Sequence, residues 1–410
     1  MDRLRQLKSH LTTSAGTVAL EAKHPDDVVI TMAVRSPLCK AKKGAFKDTR
    51  SDELLTSVFK AVIKKAGIDP ALIGDICVGE VLAPGAGYEA RGAALAAGIP
   101  ISTPVQVINR FCSSGLMAVT TIGNQIKAGQ IDIGLAVGIE SMTMNNDRGA
   151  AKPSDEILAH GTARDCKEPM GWTSENVAND FGVTREEMDS WAATSFQRAS
   201  HAQLSGHFKD EIVPIEAFNA PPGSEKRERI VVSEDDGIRH GTTADALGKI
   251  RAAFPQWGGK TTGGNAGQIT DGAGAVLLMR RSKAEELGLK VLGKWVTTTI
   301  VGLQPRIMGI GPSIAIPRVL EMAGITVNDV DLFEVNEAFA SMMVYCIKTL
   351  GLDKDKVNVN GGAIALGHPL DESNFLLPGN LLRLTEMNGC VVPDDYERRA
   401  RGRLLLGSPS

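Results

Sequence analysis

The sequence predicts an α/β protein built from two duplicated halves, with a long insertion carried by the first. Three observations predict it. Apolar, β-branched runs alternate with amphipathic helical segments through the first 140 residues, the pattern of a mostly parallel sheet covered by helices. The alternation stops between about Asn145 and Thr261. Residues 66–80, AGIDPALIGDICVGE, match residues 323–337, AGITVNDVDLFEVNE, at Ala, Gly, Ile, Val and Glu with a constant shift of 257 positions. Each copy closes a helix, a turn and a strand, so a duplicated α/β unit accounts for both.

The chain opens on Met1 to Leu11, too short and too polar for a secretory signal. On a helix Leu4, Leu7 and Leu11 share a face. Arg3-Leu4, five residues, then His10-Leu11 looks like a type-2 peroxisomal targeting signal, which implies an import receptor as partner and the peroxisome as destination. Residues 12–26 are polar and small, so 1–26 form a targeting segment and linker. A strand is expected from Val28 to Val34 and a helix from Asp52 to Ala66, with Leu54, Leu55, Val58, Val62 and Ile63 apolar. Ile76 to Leu82 is a strand, Ala90 to Ala97 a short helix and Val105 to Ile108 a β-branched strand. Leu116, Val119, Ile122 and Ile126 then fall on one helical face that Gly129 stops, and Ile133 to Ile139 is another apolar strand.

These elements make residues 27–144 the first half. The polar stretch 145–261, with a helix from Thr184 to Ser205 and turn residues at Pro221-Pro222-Gly223, forms a separate loop domain. A loop of this length in a compact domain is functional or a subdomain of its own. The glycine-rich Lys260 to Gly267 matches neither Walker A nor Rossmann spacing. It leads into a small-residue strand, Asp271 to Met279, that returns residues 262–281 to the first half. Residues 282–370 form the second half and 371–410 a divergent tail.

Bulk properties narrow the function classes. The 410 residues are 43% hydrophobic and 23% charged, with a net charge of −3. Nothing marks a nucleic-acid or anionic-membrane binder, and no apolar run approaches the roughly 18 residues of a membrane span. Six scattered cysteines (39, 77, 112, 166, 346 and 390) form no C-x-x-C pair. That points to a reducing compartment, without disulfides or a zinc site.

Two residues carry candidate chemistry. Cys112, in Asn109-Arg110-Phe111-Cys112-Ser113-Ser114-Gly115, sits at a strand-to-helix turn just outside a helix N-terminus. Such a position favours an anion and can lower a thiol from about 8.5 into the range of roughly 3.5–7.5. A buried structural thiol is the other reading of the same position. His368 lies in Asn358-Val359-Asn360-Gly361-Gly362-Ala363-Ile364-Ala365-Leu366-Gly367-His368-Pro369. It stands 31 residues beyond Glu337, as Cys112 stands 32 beyond Glu80. The duplication therefore gives both residues similar stations, and a pseudo-dyad would bring them into one cleft. A neutral imidazole there would take the thiol proton.

At these residues the chain resembles the thiolase family, most closely its peroxisomal 3-ketoacyl-CoA branch. The resemblance runs from about Val28 to Leu370 on four motifs: Asn109 to Gly115, Met170 to Ala178 (MGWTSENVA), Asn336-Glu337-Ala338-Phe339-Ala340, and Gly361 to Pro369 with its Gly-His-Pro. It implies a thiolase-like five-layer α-β-α-β-α fold, with a sheet from each half and the loop domain over the active site, and a homodimer or a dimer of dimers. It implies thiolytic cleavage of a 3-ketoacyl-CoA by CoA, giving acetyl-CoA and a shortened acyl-CoA in fatty-acid β-oxidation. Coenzyme A is a substrate, and no cofactor is permanently bound. Cys112 would attack the keto carbon, His368 would activate it and help hold the oxyanion, and Asn336 would hold a water completing that oxyanion hole. Met170 would line the pantetheine channel, and the backbone at Ala266 and Gly267 would face the same substrate.

Three departures stand against the family pattern. Phe111 replaces a usual Gln, and Gly267 replaces a Ser whose hydroxyl usually contacts CoA. After Leu370 the family continues with Gly-Cys-Thr-Gly and later a Cys-x-Gly loop, which supplies a second catalytic cysteine and an oxyanion donor. Here Asp371-Glu372-Ser373 follows, and Cys390 precedes Val391-Val392, so the second role is not carried onto it. A frameshift, an altered splice or a mistaken gene model near residue 371 accounts for the break, and the second sheet is then expected to lack its last strands. The alternatives are a non-catalytic thiolase-fold protein that binds CoA or pairs with an intact subunit, and an acetoacetyl-CoA thiolase.

Overall fold

The computed structural model describes residues 16–145, 153–221, 223–224, 226–368, 388–393 and 405–408. The Arg3 to Leu11 motif, Pro369 and the break after Leu370 lie outside the described residues.

A short helix α1 (Gly16–Glu21) precedes the first half. That half runs β1 (Val28–Arg35), β2 (Cys39–Lys40), α2 (Ser51–Ala66), β3 (Asp75–Gly79), α3 (Ala86–Ala96), β4 (Val105–Ile108), α4 (Ser114–Lys127) and β5 (Ile133–Ser141). The α2 stripe of Leu54, Leu55, Val58 and Val62 is buried, and Gly67 ends the helix at φ 65°. All nine residues of β5 are buried, which explains a continuous apolar run in place of alternation.

The long stretch expected to form a loop domain follows as α5 (Asp155–Ala159), α6 (Gly161–Asp165), α7 (Met170–Asp180), α8 (Arg185–Leu204), the hairpin β6 (Ile215–Asn219) and β7 (Glu228–Val232), and α9 (Ala244–Gly248). Thr184 and Glu187 form a capping box that starts α8 where the sequence places it. Buried Arg35 on β1 anchors this stretch, donating Nε to Glu211 at 2.9 Å and both terminal nitrogens to Asp235 at 2.6 and 2.8 Å. The chain returns through β8 (Thr270–Arg280) and α10 (Arg281–Glu286). The second half then runs β9 (Gly293–Thr299), α11 (Gly311–Ala323), β10 (Leu332–Val335), α12 (Ala340–Leu350), α13 (Ala363–Leu366), β11 (Asn388–Pro393) and β12 (Leu405–Ser408).

The sheet order displays the duplication. In the first half β1 pairs antiparallel with β8, β8 antiparallel with β5, β5 parallel with β3, and β3 parallel with β4. In the second half β9 pairs antiparallel with β11, β11 antiparallel with β12, and β12 parallel with β10. Strand β10 begins at Leu332, 257 positions after the start of β3 at Asp75. A parallel bridge from Phe333 to Val357 occupies the station that β4 holds beside β3. The two halves are joined rather than separate, because Val29 and Ile30 of β1 also pair with Lys294 and Gly293 of β9.

The tail departs from expectation. Residues 388–393 and 405–408 supply two strands to the second half's part of the continuous sheet, where the sequence led us to expect none. They fill its stations in reversed chain order. In the first half β5 precedes β8, whereas β11 takes the β8 station and precedes β12 at the β5 station. Backbone pairing requires only extended chain, so a segment without the expected motif still satisfies the open edges of β9 and β10.

Candidate active site

Cys112 is placed by strand β4, by the tight turn after it and by helix α4. Gly79 at the end of β3 makes the turn possible: a Cβ there would lie 2.4 Å from the Ser114 carbonyl carbon. Only glycine lets the first turn of α4 rest on β3. The turn is tied by its own polar groups. Asn109 Oδ1 accepts from the Phe111 N–H at 2.9 Å, and Ser114 Oγ accepts from the Arg110 N–H at 2.9 Å and donates to the Phe111 carbonyl at 2.6 Å. These bonds hold Phe111 at φ 48°, the left-handed region that bulky residues rarely enter, with its ring 75% exposed. Cys112 is half-buried immediately beyond. Cys39, Cys77 and Cys346 are buried, and burial pushes Cys77 and Cys346 each up to about 12. Those two thiols are poor nucleophiles.

His368 follows α13 at the corresponding turn of the second half. It is buried, and burial lowers its imidazole from the ordinary value to about 4. It is therefore neutral near pH 7, the state that accepts a proton. Asn336, at the end of β10, brings its Nδ2 to 3.4 Å from His368 Nε2. The His368 N–H donates to the Gln268 carbonyl at 2.7 Å. The Gln268 side chain donates in turn to the Ile364 and Ala365 carbonyls at 3.1 and 2.9 Å. Gly267 completes the cluster: its N–H donates to the Ala338 carbonyl at 2.9 Å, and a Cβ there would lie 3.4 Å from His368 Cβ. Ala266 bridges Phe339. That N–H of Gly267 is thus committed within the fold.

The topology sets Cys112 and His368 at one end of the sheet. His368 bridges Ile269, which leads into β8; Asp271 of β8 pairs with Ser141 of β5, and Gly138 of β5 pairs with Gly79 under the Cys112 turn. This is the carboxyl end of β3, β4 and β5, where open α/β sheets bind ligands. Met170, 40% exposed, opens α7 at the edge of the loop domain. Buried Glu175 on the same helix accepts from the Lys260 and Thr261 N–H groups at 3.0 and 2.7 Å. Met170 and the glycine-rich loop therefore share one anchor.

Sequence reasoning missed three supports. Glu140 accepts from the Val81 and Leu82 N–H groups at 3.3 and 3.0 Å, while Asn109 Nδ2 donates to the Val81 carbonyl at 3.0 Å. Burial raises Glu140 to about 7. Burial, with Glu140 and Glu89 nearby, raises Glu80 to about 9, so it is a neutral acid near pH 7. The signal for Glu140 was a carboxylate closing an otherwise apolar strand. Gln268 left no signal, since its bonds reach residues 31 to 97 positions away.

Among the described residues, no group of three or more His, Cys, Asp or Glu is placed to hold a metal ion. No described helix is long and apolar enough to cross a membrane. Residues 28–282 match the model of the thiolase N-terminal domain, and residues 289–388 that of the thiolase C-terminal domain. The chain is 50% identical over 389 residues to 3-ketoacyl CoA thiolase 1, peroxisomal, of Petunia hybrida, covering 93% of this chain and 84% of that protein. It superimposes on the dimeric peroxisomal thiolase of Saccharomyces cerevisiae with a TM-score of 0.80 and 47% identity, covering 87% of this chain and 90% of that one. A second structure of the yeast peroxisomal 3-ketoacyl-CoA thiolase matches with a TM-score of 0.68 and 43% identity, over 85% of this chain and 87% of that one. It is described as a five-layered α-β-α-β-α structure constructed from two core domains of identical topology, the architecture the resemblance implied.

Proposed function

The chain belongs to the thiolase family, and from its peroxisomal relatives we infer that it is a 3-ketoacyl-CoA thiolase, an acyltransferase of peroxisomal fatty-acid β-oxidation. The observation that carries this reading onto particular residues is the buried, neutral His368 beside Asn336, at the same sheet end as Cys112, which lies just before the N-terminus of α4. His368 takes the thiol proton, and the Cys112 sulfur bonds to the keto carbon of the substrate. The oxyanion so formed is met by the His368–Asn336 corner, with a water held by Asn336. The carbon–carbon bond breaks, acetyl-CoA leaves as its carbanion and takes a proton from water, the hydroxide so formed recovers the proton held on His368, and a thioester remains on Cys112. A second CoA thiol gives up its proton and removes the acyl group. Coenzyme A is consumed as substrate, with no permanently held cofactor.

Met170, Ala266 and Gly267 line the path of the pantetheine arm. With its N–H already bonded to Ala338, Gly267 serves by having no side chain, so the arm can pass close to His368. The protein assembles as a homodimer. Strand β4 ends the sheet order, and exposed Tyr88, Ile101 and Phe111 flank it. An unpaired edge with apolar neighbours is suited to meeting a second copy. Import rests on Arg3-Leu4 and His10-Leu11 engaging a peroxisomal receptor. A reporter carrying residues 1–20 is expected to enter peroxisomes. A reporter that stays diffuse, unchanged by His10→Ala, would refute the signal.

One observation favours a second reading. No Cys-x-Gly occurs between His368 and Ser410, so the family's second acid/base is not recognisable. Losing one such group costs about 10²–10⁴ in rate. Acyl exchange between an acyl-CoA and labelled CoA needs only Cys112 and a proton carrier such as His368. Cleavage also needs a proton for the acetyl carbanion. Exchange is expected to outrun cleavage of a medium-chain 3-ketoacyl-CoA by about that factor. Cleavage as fast as exchange would exclude the second reading, a CoA-binding protein that transfers acyl groups without cutting carbon–carbon bonds. Absence of both activities would sink the first.

A further inference from the structure

Glu337 lies next to Asn336 in sequence and is fully buried. Its carboxylate gathers donors from two parts of the molecule. Trp191 Nε1 and Ser195 Oγ, both on α8 of the loop domain, donate to it at 3.2 and 2.6 Å. Asn358 Nδ2 and the Ile364 N–H, both on the segment that ends in His368, donate at 2.8 and 3.2 Å. The Gly362 N–H closes the circuit by donating to Ser195 Oγ at 3.0 Å. Glycine is required at 362, because a Cβ there would lie 2.2 Å from the Glu337 carboxyl carbon. Gly361, at φ 79°, packs its Cα against α8, where a Cβ would lie 2.6 Å from Ala199 Cβ.

We propose that Glu337 is the positioning residue that locks the His368 turn to the loop domain and so sets the aim of the catalytic imidazole. It does not touch the reacting atoms. It acts through α13, the single turn between Gly362 and Gly367 from which His368 hangs. This inference rests on the reading of Cys112 and His368 as a thiol–imidazole pair. A glutamine at 337 has one oxygen and one NH2. Asn358 cannot reverse its amide, because its Oδ1 already accepts from the Val335 N–H at 2.7 Å. The glutamine oxygen therefore faces Trp191 and Asn358, and its NH2 faces Ser195 and Ile364. The serine hydroxyl can accept. The Ile364 N–H cannot, so the first turn of α13 loses its anchor. Misplacement of a catalytic group by about 1 Å can cost on the order of 10²-fold.

The test compares wild type, Glu337→Gln, Ser195→Ala and His368→Ala in the full chain. It reads kcat and KM for acyl exchange, the pH profile of Cys112 alkylation by iodoacetamide, and thermal stability. Glu337→Gln is expected to lower kcat by about 10- to 100-fold with KM within about threefold. Its alkylation profile should move toward that of an ordinary thiol, near about pH 8.5. Ser195→Ala, which keeps the carboxylate, should move both readouts in the same direction by a smaller factor, and decides the matter if Glu337→Gln fails to fold. A lower melting temperature with kcat and the alkylation profile unchanged overturns the proposal and leaves Glu337 a structural residue. If His368→Ala shifts the alkylation profile and neither other variant does, only the positioning role falls. If His368→Ala leaves the profile unmoved, the thiol–imidazole reading fails and this inference with it.

Discussion

Cys112→Ala is expected to abolish both acyl exchange and thiolysis, by a factor on the order of 10⁴ or more, while the fold and the affinity for CoA survive. The physical basis is specific to this thiol. Cys77 and Cys346 sit at about 12 in apolar surroundings, and Cys39 is buried beside Asp235, Asp236 and Asp271, which raises it further. Cys112 alone among the described cysteines stands at the N-terminus of a helix longer than three turns, on a turn held by Asn109 and Ser114. Its side chain is half-buried in the site, so its removal leaves little cavity. Calorimetric CoA binding within a few-fold of wild type, with no turnover, is the expected pair of results. Residual turnover near the wild-type rate would remove the nucleophile assignment.

His368→Ala is expected to lower the exchange rate by about 10²–10⁴. The pH dependence sharpens this prediction. Burial holds the His368 imidazole at about 4 in the folded protein, against about 6.5 for an unperturbed histidine. The acid limb of kcat/KM should therefore lie near pH 4 and not near 6.5. The same shift bears on stability with a definite sign. Between those two values the unfolded chain binds a proton that the native imidazole refuses. The contribution is full above about pH 6.5 and is lost as pH falls through about 4. Denaturant midpoints measured from pH 7 down to 4 should fall less steeply for His368→Ala than for wild type. An acid limb near pH 6.5, with identical midpoint slopes for the two proteins, would contradict the buried neutral imidazole.

Much of this architecture was legible from residue patterning. The apolar runs at Val28, Ile76 and Ile133 became β1, β3 and β5, because strands covered on both faces need apolar sequence, while Val105 to Ile108 became the half-buried strand β4 at the end of the sheet order. The repeat ending at Glu80 and Glu337 placed β10 in register with β3. It did not show that the two glutamates diverge: Glu337 gathers four donors, whereas Glu80 lies buried near Glu140 and Glu89. That difference comes from α8, whose Trp191 and Ser195 stand more than 140 positions before Glu337. The tail strands were illegible for another reason. Asn388 to Pro393 and Leu405 to Ser408 follow no family motif, and their pairing answers the open edges of β9 and β10 rather than a local signal. Of the candidate site, the strand-to-helix turn at Cys112 was legible in the local pattern and the repeat pointed to His368, whereas Asn336 was singled out only by the family resemblance. Gln268 and Glu140 were not legible, because their partners are set by topology.

Everything proposed for this site turns on Cys112 carrying the acyl group. Intact-protein and peptide mass spectrometry after brief exposure to an acyl-CoA tests it most directly. One added acyl group per chain is expected, mapped to Cys112, absent in Cys112→Ala and discharged when free CoA is added. An unmodified protein, or an acyl group mapped to Cys166 or another residue and indifferent to CoA, would contradict it.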